Sequence, residues 1–375
     1  MTLSRVGILS TSQTQLRPAW DSAQHIDLIS AVVTDVFKGT GLTLDDVDFI
    51  IDSGSDVLDG RSISNCGFLG ALGAHHKEEA RVEEDGLWGA LYGVNKIRSG
   101  ASKLGLIVAY SKPSESAIDL YWSAMVEPFY QRPVGFGQKA ALGIQAQRYL
   151  AAHGIKDRDL AELVARRWAA AAAKGGVAID EVPDADAVLG AGEAASPLTD
   201  LMLSRPVDGA VAVLIGNEEI AQRTGRPPVL ITGMGTSMET HSFADRSDTS
   251  IESVGNAARM AYGKAGWDKA GGGKIGADVV EISGPSAVAE LMVLEGLGLA
   301  DAGKGIDTAQ GDGVNRSGGS LPADPVIATG LVRLAEAAKQ LSAPVRGGAA
   351  ASAKAIVHGT GGLALQTNCV FTLEV

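Results

Sequence analysis

An internal repeat of apolar segments constrains this fold more than any other feature, because the second part of the chain restarts the pattern of the first. The repeated segments are short apolar runs, typical of buried strands, and longer runs at helical spacing that stop near glycines. The matched segments are 6–13 with 229–236, 46–55 with 277–286, 87–110 with 330–341 and 354–357, and 211–215 with 369–373. The repeat predicts a duplicated α/β protein with stacked layers.

Inside the first repeat the pattern changes, and large aromatic residues gather around two long helical patterns. The helical patterns cover 138–152 and 158–174, and a connection rich in Ala, Gly, Pro and Asp follows them. We interpret this stretch, 111–195, as an inserted loop domain. The predicted boundaries are then 1–228 for the N-terminal half and 229–375 for the C-terminal half.

The composition is that of a core-forming chain with an excess of acidic groups. Of 375 residues, 45% are hydrophobic and 20% are charged, and the formal net charge is -12. The excess of carboxylates argues against nucleic acid and anionic membranes as partners. The two cysteines, Cys66 and Cys369, give no disulfide framework and no metal-ligand spacing, and no segment predicts a secretion signal or a membrane span. These features predict a cytoplasmic protein without a bound metal.

The segment RVEEDGLWGALYGVNKIRSG at 81–100 predicts a turn and a buried helix, and a buried strand follows at 104–110. A helix N-terminus stabilises an anion or an activated cysteine through its free N–H groups and its dipole. Glu83, Glu84 and Asp85 crowd this N-terminus. The simplest interpretation is capping of the helix, and the alternative is a carboxylate base in a site that lacks a thiol.

Four segments of the chain resemble the thiolase superfamily, in particular its sterol-carrier-type and archaeal-type members. They are RVEEDGLWGALYGVNKIRSG at 81–100, VVEISGPSAVAELMVLEGLGL at 279–299, VNRSGGSLPADPVIATG at 314–330 and IVHGTGGLA at 356–364. The resemblance extends over essentially the whole chain. It implies a duplicated thiolase fold, in which two similar βαβαβαββ-type halves form an α-β-α-β-α arrangement and the inserted loop domain covers a coenzyme A cleft.

The resemblance also implies a site, and the chain departs from the family there. The nucleophilic cysteine of the family falls on Gly86, or on Glu83 when the helix is counted back without a gap, so neither alignment supplies a thiol. The histidine of the family's GHP motif falls on Asp324, and a further Asn or His falls on Ser283. The last motif supplies His358, which is the candidate general base. Asp324 is its candidate partner, and the simpler alternative for Asp324 is a turn residue.

Further residues are implied as parts of the cleft. The turns with Ser317 and Gly318 and with Gly361 and Gly362 are candidate substrate-binding segments, although plain surface turns have the same composition. Arg132 in the inserted segment is a candidate contact for coenzyme A phosphates. Cys66 is an alternative nucleophile, but no helix N-terminus lowers its pKa in the predicted arrangement. A small apolar residue is the simpler interpretation of Cys66.

Two functions follow from the resemblance. The first is an enzyme that binds no cofactor and uses a coenzyme A thioester as substrate, cleaving or forming a carbon–carbon bond by retro-Claisen or retro-aldol chemistry without a Cys acyl-enzyme. The second is a non-catalytic thiolase-fold subunit or scaffold of a heteromeric acyl-CoA-processing complex. The resemblance also implies a homodimer, and it makes a small zinc-ribbon/OB-fold protein a candidate partner.

Overall fold

The computed structural model describes residues 4–267, 275–343 and 353–375. These residues form eleven strands and thirteen helices. The strands are β1 (Val6–Gln13), β2 (Phe49–Ser53), β3 (Glu78–Val82), β4 (Leu104–Ser111), β5 (Glu193–Ala195), β6 (Leu198–Thr199), β7 (Gly209–Asn217), β8 (Val229–Met238), β9 (Val279–Ile282), β10 (Lys354–Gly361) and β11 (Thr367–Glu374). The helices are α1 (His25–Asp35), α2 (Asp56–Asp59), α3 (Leu69–Leu72), α4 (Gly86–Arg98), α5 (Ile118–Ala124), α6 (Gln138–His153), α7 (Asp157–Lys174), α8 (Ala185–Gly190), α9 (Glu218–Thr224), α10 (Glu252–Ala265), α11 (Ala287–Gly296), α12 (Gly305–Ala309) and α13 (Thr329–Ser342).

Nine strands form one mixed sheet in the order β3-β2-β4-β7-β1-β8-β11-β10-β9. This order is symmetric about the β1–β8 pair, since β7, β4 and β2 on one side correspond to β11, β10 and β9 on the other. The central pair is antiparallel and short, with Gly7 opposite Leu230 and Ile8 opposite Val229. Each side of the sheet is therefore built from one sequence repeat, and the predicted duplicated α/β fold is confirmed.

Helices α4 and α13 form the middle layer, because α4 packs on β2 and β4, α13 packs on β9 and β10, and the two helices contact each other. Leu87 and Leu331 belong to one buried cluster with strand residues of both halves. Helix α1 covers the outer face of the N-terminal side, and α10 and α11 cover that of the C-terminal side. The layers therefore follow the order α-β-α-β-α, and the N-termini of α4 and α13 meet in the interior.

Most elements agree with their sequence predictions, but the stretch before α4 does not. The sequence pattern predicted a turn from residue 81, whereas Arg81 and Val82 end strand β3. This strand, EEARV, lies at the edge of the sheet and its residues are exposed or half-buried. An edge strand with charged residues carries no apolar run, so the pattern that revealed the buried strands could not reveal this one.

Between β4 and β7 the chain forms helices α5 to α8 and the small β5–β6 pair. The long helices α6 and α7 lie where helical patterns were predicted and pack on α11, with Tyr149 and Leu160 in the same buried cluster as Leu291. Across the described ranges, no helix combines the length and the apolar character that crossing a membrane requires.

Candidate active site

The junction between the two middle helices is occupied by the carboxylate of Asp85, which is 2% exposed. Asp85 is the N-cap of α4, and its Oδ1 accepts a hydrogen bond from the Leu87 N–H at 2.9 Å. Its Oδ2 accepts a hydrogen bond from the Gly330 N–H of α13 at 2.7 Å. One carboxylate thus receives N–H groups from the N-termini of two helices, one from each half. The predicted capping role of Asp85 is present, and it extends to a second helix.

Gly86, the position assigned to the family's nucleophile, points away from this junction. A Cβ at Gly86 would lie 2.7 Å from the Cβ atoms of Ala109 and Leu331, which is closer than real Cβ contacts. The backbone around residue 86 therefore leaves no room for a cysteine side chain as packed here. The side chain that reaches the helix junction belongs to the preceding residue, Asp85.

Three carboxylates lie close enough to affect one another around the junction. Burial and the charges on Glu84 and Asp324 raise the pKa of Asp85 well above its ordinary value, although its two N–H donors act in the opposite direction. Burial also raises the pKa of Glu84 and that of Asp324. A raised pKa keeps a carboxyl group able to take up and release a proton at higher pH than usual, which suits a general acid or base.

Asp324 is held in a fixed orientation by three donors. Its Oδ2 accepts the Ser204 hydroxyl at 2.6 Å, and its Oδ1 accepts the Val326 N–H at 2.9 Å and the Thr329 hydroxyl at 2.5 Å. Two carboxylate oxygens offer about four acceptor positions. One position therefore remains for a proton that arrives from a bound molecule.

Asp324 lines a cavity of about 440 Å³ between the inserted segment and the C-terminal half. The walls are largely apolar, with two tryptophans, and they also carry two cations, Lys139 and Arg205. Its lining includes Trp122, Lys139, Trp168, Ser204, Arg205, Ser283, Asp324, Thr329, Gly361 and Gly362. An apolar cavity with a few convergent polar groups is the usual form of a small-molecule site.

Ser283, another residue predicted from the sequence, lines the same cavity as Asp324. Its backbone N–H donates to the His358 carbonyl, while its side-chain hydroxyl is buried and has no hydrogen-bond partner within the described part of the chain. A buried hydroxyl without a partner is unfavourable unless something else meets it. A bound carbonyl oxygen in the cavity would supply that partner.

His358 does not line this cavity, and its imidazole is on the face of β10 opposite the helix junction. The His358 Nε2 lies 2.9 Å from Asn368 Oδ1, and Asn368 in turn donates to Ser253 on α10. The neighbouring Gly359 faces the helix junction, since a Cβ there would lie 2.7 Å from Asp85 Oδ1. Successive side chains of a strand alternate between faces, so His358 points toward the outer helices. Burial lowers the pKa of His358 to about 4.

The other predicted binding residues divide into two groups. Gly361 and Gly362 line the cavity. Ser317 instead donates its hydroxyl to Glu281 at 2.6 Å within a buried network, Gly318 packs against α7, and Arg132 is exposed and donates to backbone carbonyls of residues 123, 124 and 126. The structure thus gives these three residues local structural contacts in place of a position in the cavity wall.

No thiol belongs to the lining of this cavity among the described residues. Cys66 is exposed in a turn, and Cys369 is fully buried on β11. Burial together with Asp85 and Glu84 raises the pKa of Cys369 well above its ordinary value. Within the same described ranges, no group of three or more His, Cys, Asp or Glu side chains is placed to hold a metal ion.

Several cavity residues were not predicted from the sequence. Ser204 and Thr329, which orient Asp324, carry no pattern that distinguishes them from other hydroxyl residues. Trp122 and Trp168 belong to the aromatic cluster that marked the inserted segment, and this cluster was the one signal that could have assigned them to the cavity.

Comparison of the sequence with known proteins finds similarity to thiolases. Residues 235–374 match the family model of the thiolase C-terminal domain-like family. The benzoylsuccinyl-CoA thiolase subunit BbsB of Thauera aromatica is 29% identical over 215 residues, which cover 53% of each protein. The alignments with the curated relatives cover between 30% and 63% of their lengths.

Solved structures share the fold over nearly the whole chain. The Ltp2-ChsH2(DUF35) aldolase superposes with a TM-score of 0.75 at 18% identity and covers 99% of this chain and 98% of its own. Human mitochondrial 3-ketoacyl-CoA thiolase superposes with a TM-score of 0.74 at 16% identity and covers 100% and 99%. At such identities the likeness concerns the fold alone. Together with the match over residues 235–374 and the related sequences, the duplicated five-layer fold supports the resemblance to the thiolase superfamily.

Proposed function

We propose that the chain acts on coenzyme A thioesters and breaks or forms the bond between Cα and Cβ of the acyl group without a cysteine acyl-enzyme. The observation that carries the proposal is the position of Asp324: an oriented carboxylate with a raised pKa in the wall of a cavity that no thiol lines. A retro-Claisen cleavage requires a nucleophile to accept the acyl group. A retro-aldol cleavage requires only a base and a group that stabilises an enolate, so we favour the retro-aldol reaction.

In the proposed cleavage the substrate is a β-hydroxyacyl thioester. Asp324 removes the proton of the β-hydroxyl, and the electron pair of that O–H bond forms the carbonyl of one product. The bond between Cα and Cβ breaks, and its electron pair passes to Cα and the thioester oxygen as an enolate. The Ser283 hydroxyl donates a hydrogen bond to this oxygen. The proton held by Asp324 then returns to Cα, which gives the shortened acyl thioester.

The remaining groups of the cavity have roles in binding. Trp122 and Trp168 provide apolar surface for the acyl chain, and Lys139 and Arg205 provide positive charge for an anionic part of the substrate. The backbone of Gly361 and Gly362 borders the same space. This assignment moves the base from His358, whose ring lies on the outer face of β10, to Asp324.

A second candidate function is a subunit without its own activity. It is favoured by the three carboxylates at the helix junction, because their charge opposes an enolate or a phosphate there. The related protein from Thauera aromatica is named a subunit, and the aldolase structure is titled as an assembly with a DUF35 protein. We therefore retain a homodimer and a small zinc-ribbon/OB-fold protein as proposed partners, in a cytoplasmic setting that suits two free cysteines.

Calorimetric titration of the purified chain with coenzyme A and acetyl-CoA tests the proposal first. We expect binding in the micromolar range, followed by cleavage when β-hydroxyacyl-CoA thioesters of increasing size are supplied. Asp324→Asn is the matched control, since it keeps the shape of the side chain and removes the base. Binding without cleavage of any thioester would favour the subunit function, and absence of binding would contradict a thioester site in the isolated chain.

A further inference from the structure

The carboxylate of Asp85 links the two halves of the molecule at one point. The N–H groups of Leu87 in α4 and of Gly330 in α13 both donate to it, at 2.9 and 2.7 Å. These helices have 13 and 14 residues, so each brings a developed dipole to the junction. An anion at this point satisfies both N-termini at once.

The surroundings of this carboxylate are shaped by glycines. A Cβ at Gly330 would overlap Asp85 Oδ1, and a Cβ at Gly359 would lie 2.7 Å from the same atom. Gly330 and Gly359 come from α13 and β10, which meet the carboxylate from different sides. Glycines of α13 and β10 therefore leave the space that the Asp85 carboxylate fills.

The same helix N-terminus also orients Asp324. Thr329, the first residue of α13, donates its hydroxyl to Asp324 Oδ1, and the next residue, Gly330, donates its N–H to Asp85. Asp324 and Asp85 thus accept hydrogen bonds from two consecutive residues in the first turn of α13. A displacement of the α13 N-terminus from Asp85 would move Thr329 and, with it, the orientation of Asp324.

We propose that Asp85 is a positioning residue, which acts through Thr329 and Gly330 to hold Asp324 in its reactive orientation by filling the helix junction with a carboxyl group. The catalytic part of this proposal rests on the proposed function of Asp324. The structural part, that the junction requires an acceptor group of carboxylate size, stands apart from any activity.

Asp85→Ala tests the proposal, because it removes the carboxylate and leaves both helix N-termini and the glycine-lined space intact. We expect a lower Tm and a fall in kcat of about 10²-fold, the loss typical of a misplaced catalytic group, with little change in KM since Asp85 does not line the cavity. Sodium formate supplies a free carboxylate that fits the vacated space. Formate is expected to raise both the Tm and the kcat of D85A, whereas sodium sulfate at the same ionic strength is not.

Asp85→Asn is the matched control. Its amide fills the same space but turns an NH2 group toward one of the two N–H donors, so we expect a similar loss that formate does not reverse. If D85A is too unstable to purify, Asp85→Gly replaces it, because glycine is tolerated at an N-cap. Recovery of folded D85G by formate but not by sulfate would then support the proposal, and no recovery would refute it.

The outcomes separate this proposal from the proposed function. If the wild-type chain cleaves no thioester, the function of Asp324 fails, and the Tm response of D85A to formate still decides whether the junction needs an acceptor group of carboxylate size. If the wild type is active and D85A keeps its kcat, the positioning role of Asp85 is refuted. A D85A protein whose Tm responds equally to formate and sulfate would also refute it.

Discussion

Asp324→Asn is the change that most directly tests the proposed chemistry. The amide keeps the size of the carboxylate, and its oxygen can still accept from the Val326 N–H and the Thr329 hydroxyl. The Ser204 hydroxyl can rotate to accept from the amide nitrogen. We therefore expect a change of at most about 1 kcal/mol in the free energy of unfolding, since no buried donor loses its acceptor. The base is absent, and its loss lowers kcat by about 10²- to 10⁴-fold.

Asp324→Ala separates the scaffold role of this residue from its chemistry. Alanine leaves the Val326 N–H and two hydroxyls without their acceptor in a half-buried position. An unsatisfied buried donor costs about 1–3 kcal/mol, and the hydroxyls can recover part of this by rotation. We expect D324A to lose about 2–3 kcal/mol of stability, measured by urea unfolding, while D324N stays close to the wild type.

The assay is cleavage of a β-hydroxyacyl-CoA, followed by chromatography of the acyl-CoA products across a range of pH. Because burial raises the pKa of Asp324, the base form accumulates only above the ordinary carboxylate range, and kcat/KM should rise with pH through that raised value. The residual activity of D324N should lack this rise. D324N with at least a third of the wild-type kcat/KM, or with the same pH profile, would refute Asp324 as the base.

Three further predictions concern other parts of the molecule. Ser283→Ala removes a buried hydroxyl that has no partner, so it should leave stability unchanged or slightly higher while lowering kcat by about 10²-fold if the hydroxyl supports the enolate oxygen; an unchanged kcat would remove Ser283 from the scheme. Asp52 is fully buried, and burial together with Glu79 raises its pKa to about 7, above the unfolded value, so stability should fall as pH rises from about 4 to about 7. Asp52→Asn should lose this part of the pH dependence in urea unfolding at each pH; an unaltered profile would refute the assignment. His358→Asn breaks the contact with Asn368, so it should lower the Tm while keeping kcat within a few-fold of the wild type. Complete loss of turnover in a folded H358N protein would instead indicate that His358 is the general base.

The sequence allowed the fold to be predicted because its signals are local and repeated. Apolar runs and glycine stops marked β1, β4 and α4 in the first half and their counterparts in the second. The symmetric strand order then follows from duplication, since each half connects its strands in the same order. The edge strand β3 was not predicted, because it has charged residues where buried strands have apolar ones.

The site was predicted less well because its chemistry depends on which face of an element a side chain occupies. A motif match placed His358 and Gly86 near the site, yet one residue along a strand or at a helix start turns a side chain to the other face. Gly359 and Asp85 are the residues that meet in the interior. Asp324 and Ser283 lie in the wall of one cavity, and their catalytic roles stay predictions.

A pair of cysteine variants can test which of residues 85 and 86 places its side chain at the helix junction. Gly86→Cys introduces a thiol where the sequence alignment expects one, but its Cβ would lie 2.7 Å from the Cβ atoms of Ala109 and Leu331. Such overpacking costs about 1–3 kcal/mol, and the thiol points away from the helix junction. Asp85→Cys instead places sulfur between two helix N-termini, where N–H groups and dipoles favour the thiolate.

We therefore expect D85C to show thiolate absorbance in the ultraviolet at lower pH than G86C, after subtraction of the wild-type signal from Cys66 and Cys369. The remaining carboxylates, Glu84 and Asp324, oppose this effect in D85C, so the comparison between the two variants is the informative quantity rather than either pKa alone. A G86C thiol that ionises more readily than that of D85C would refute the assignment of the junction to residue 85. In the expected case, residue 85 is the position at which a side chain meets the N-termini of both α4 and α13.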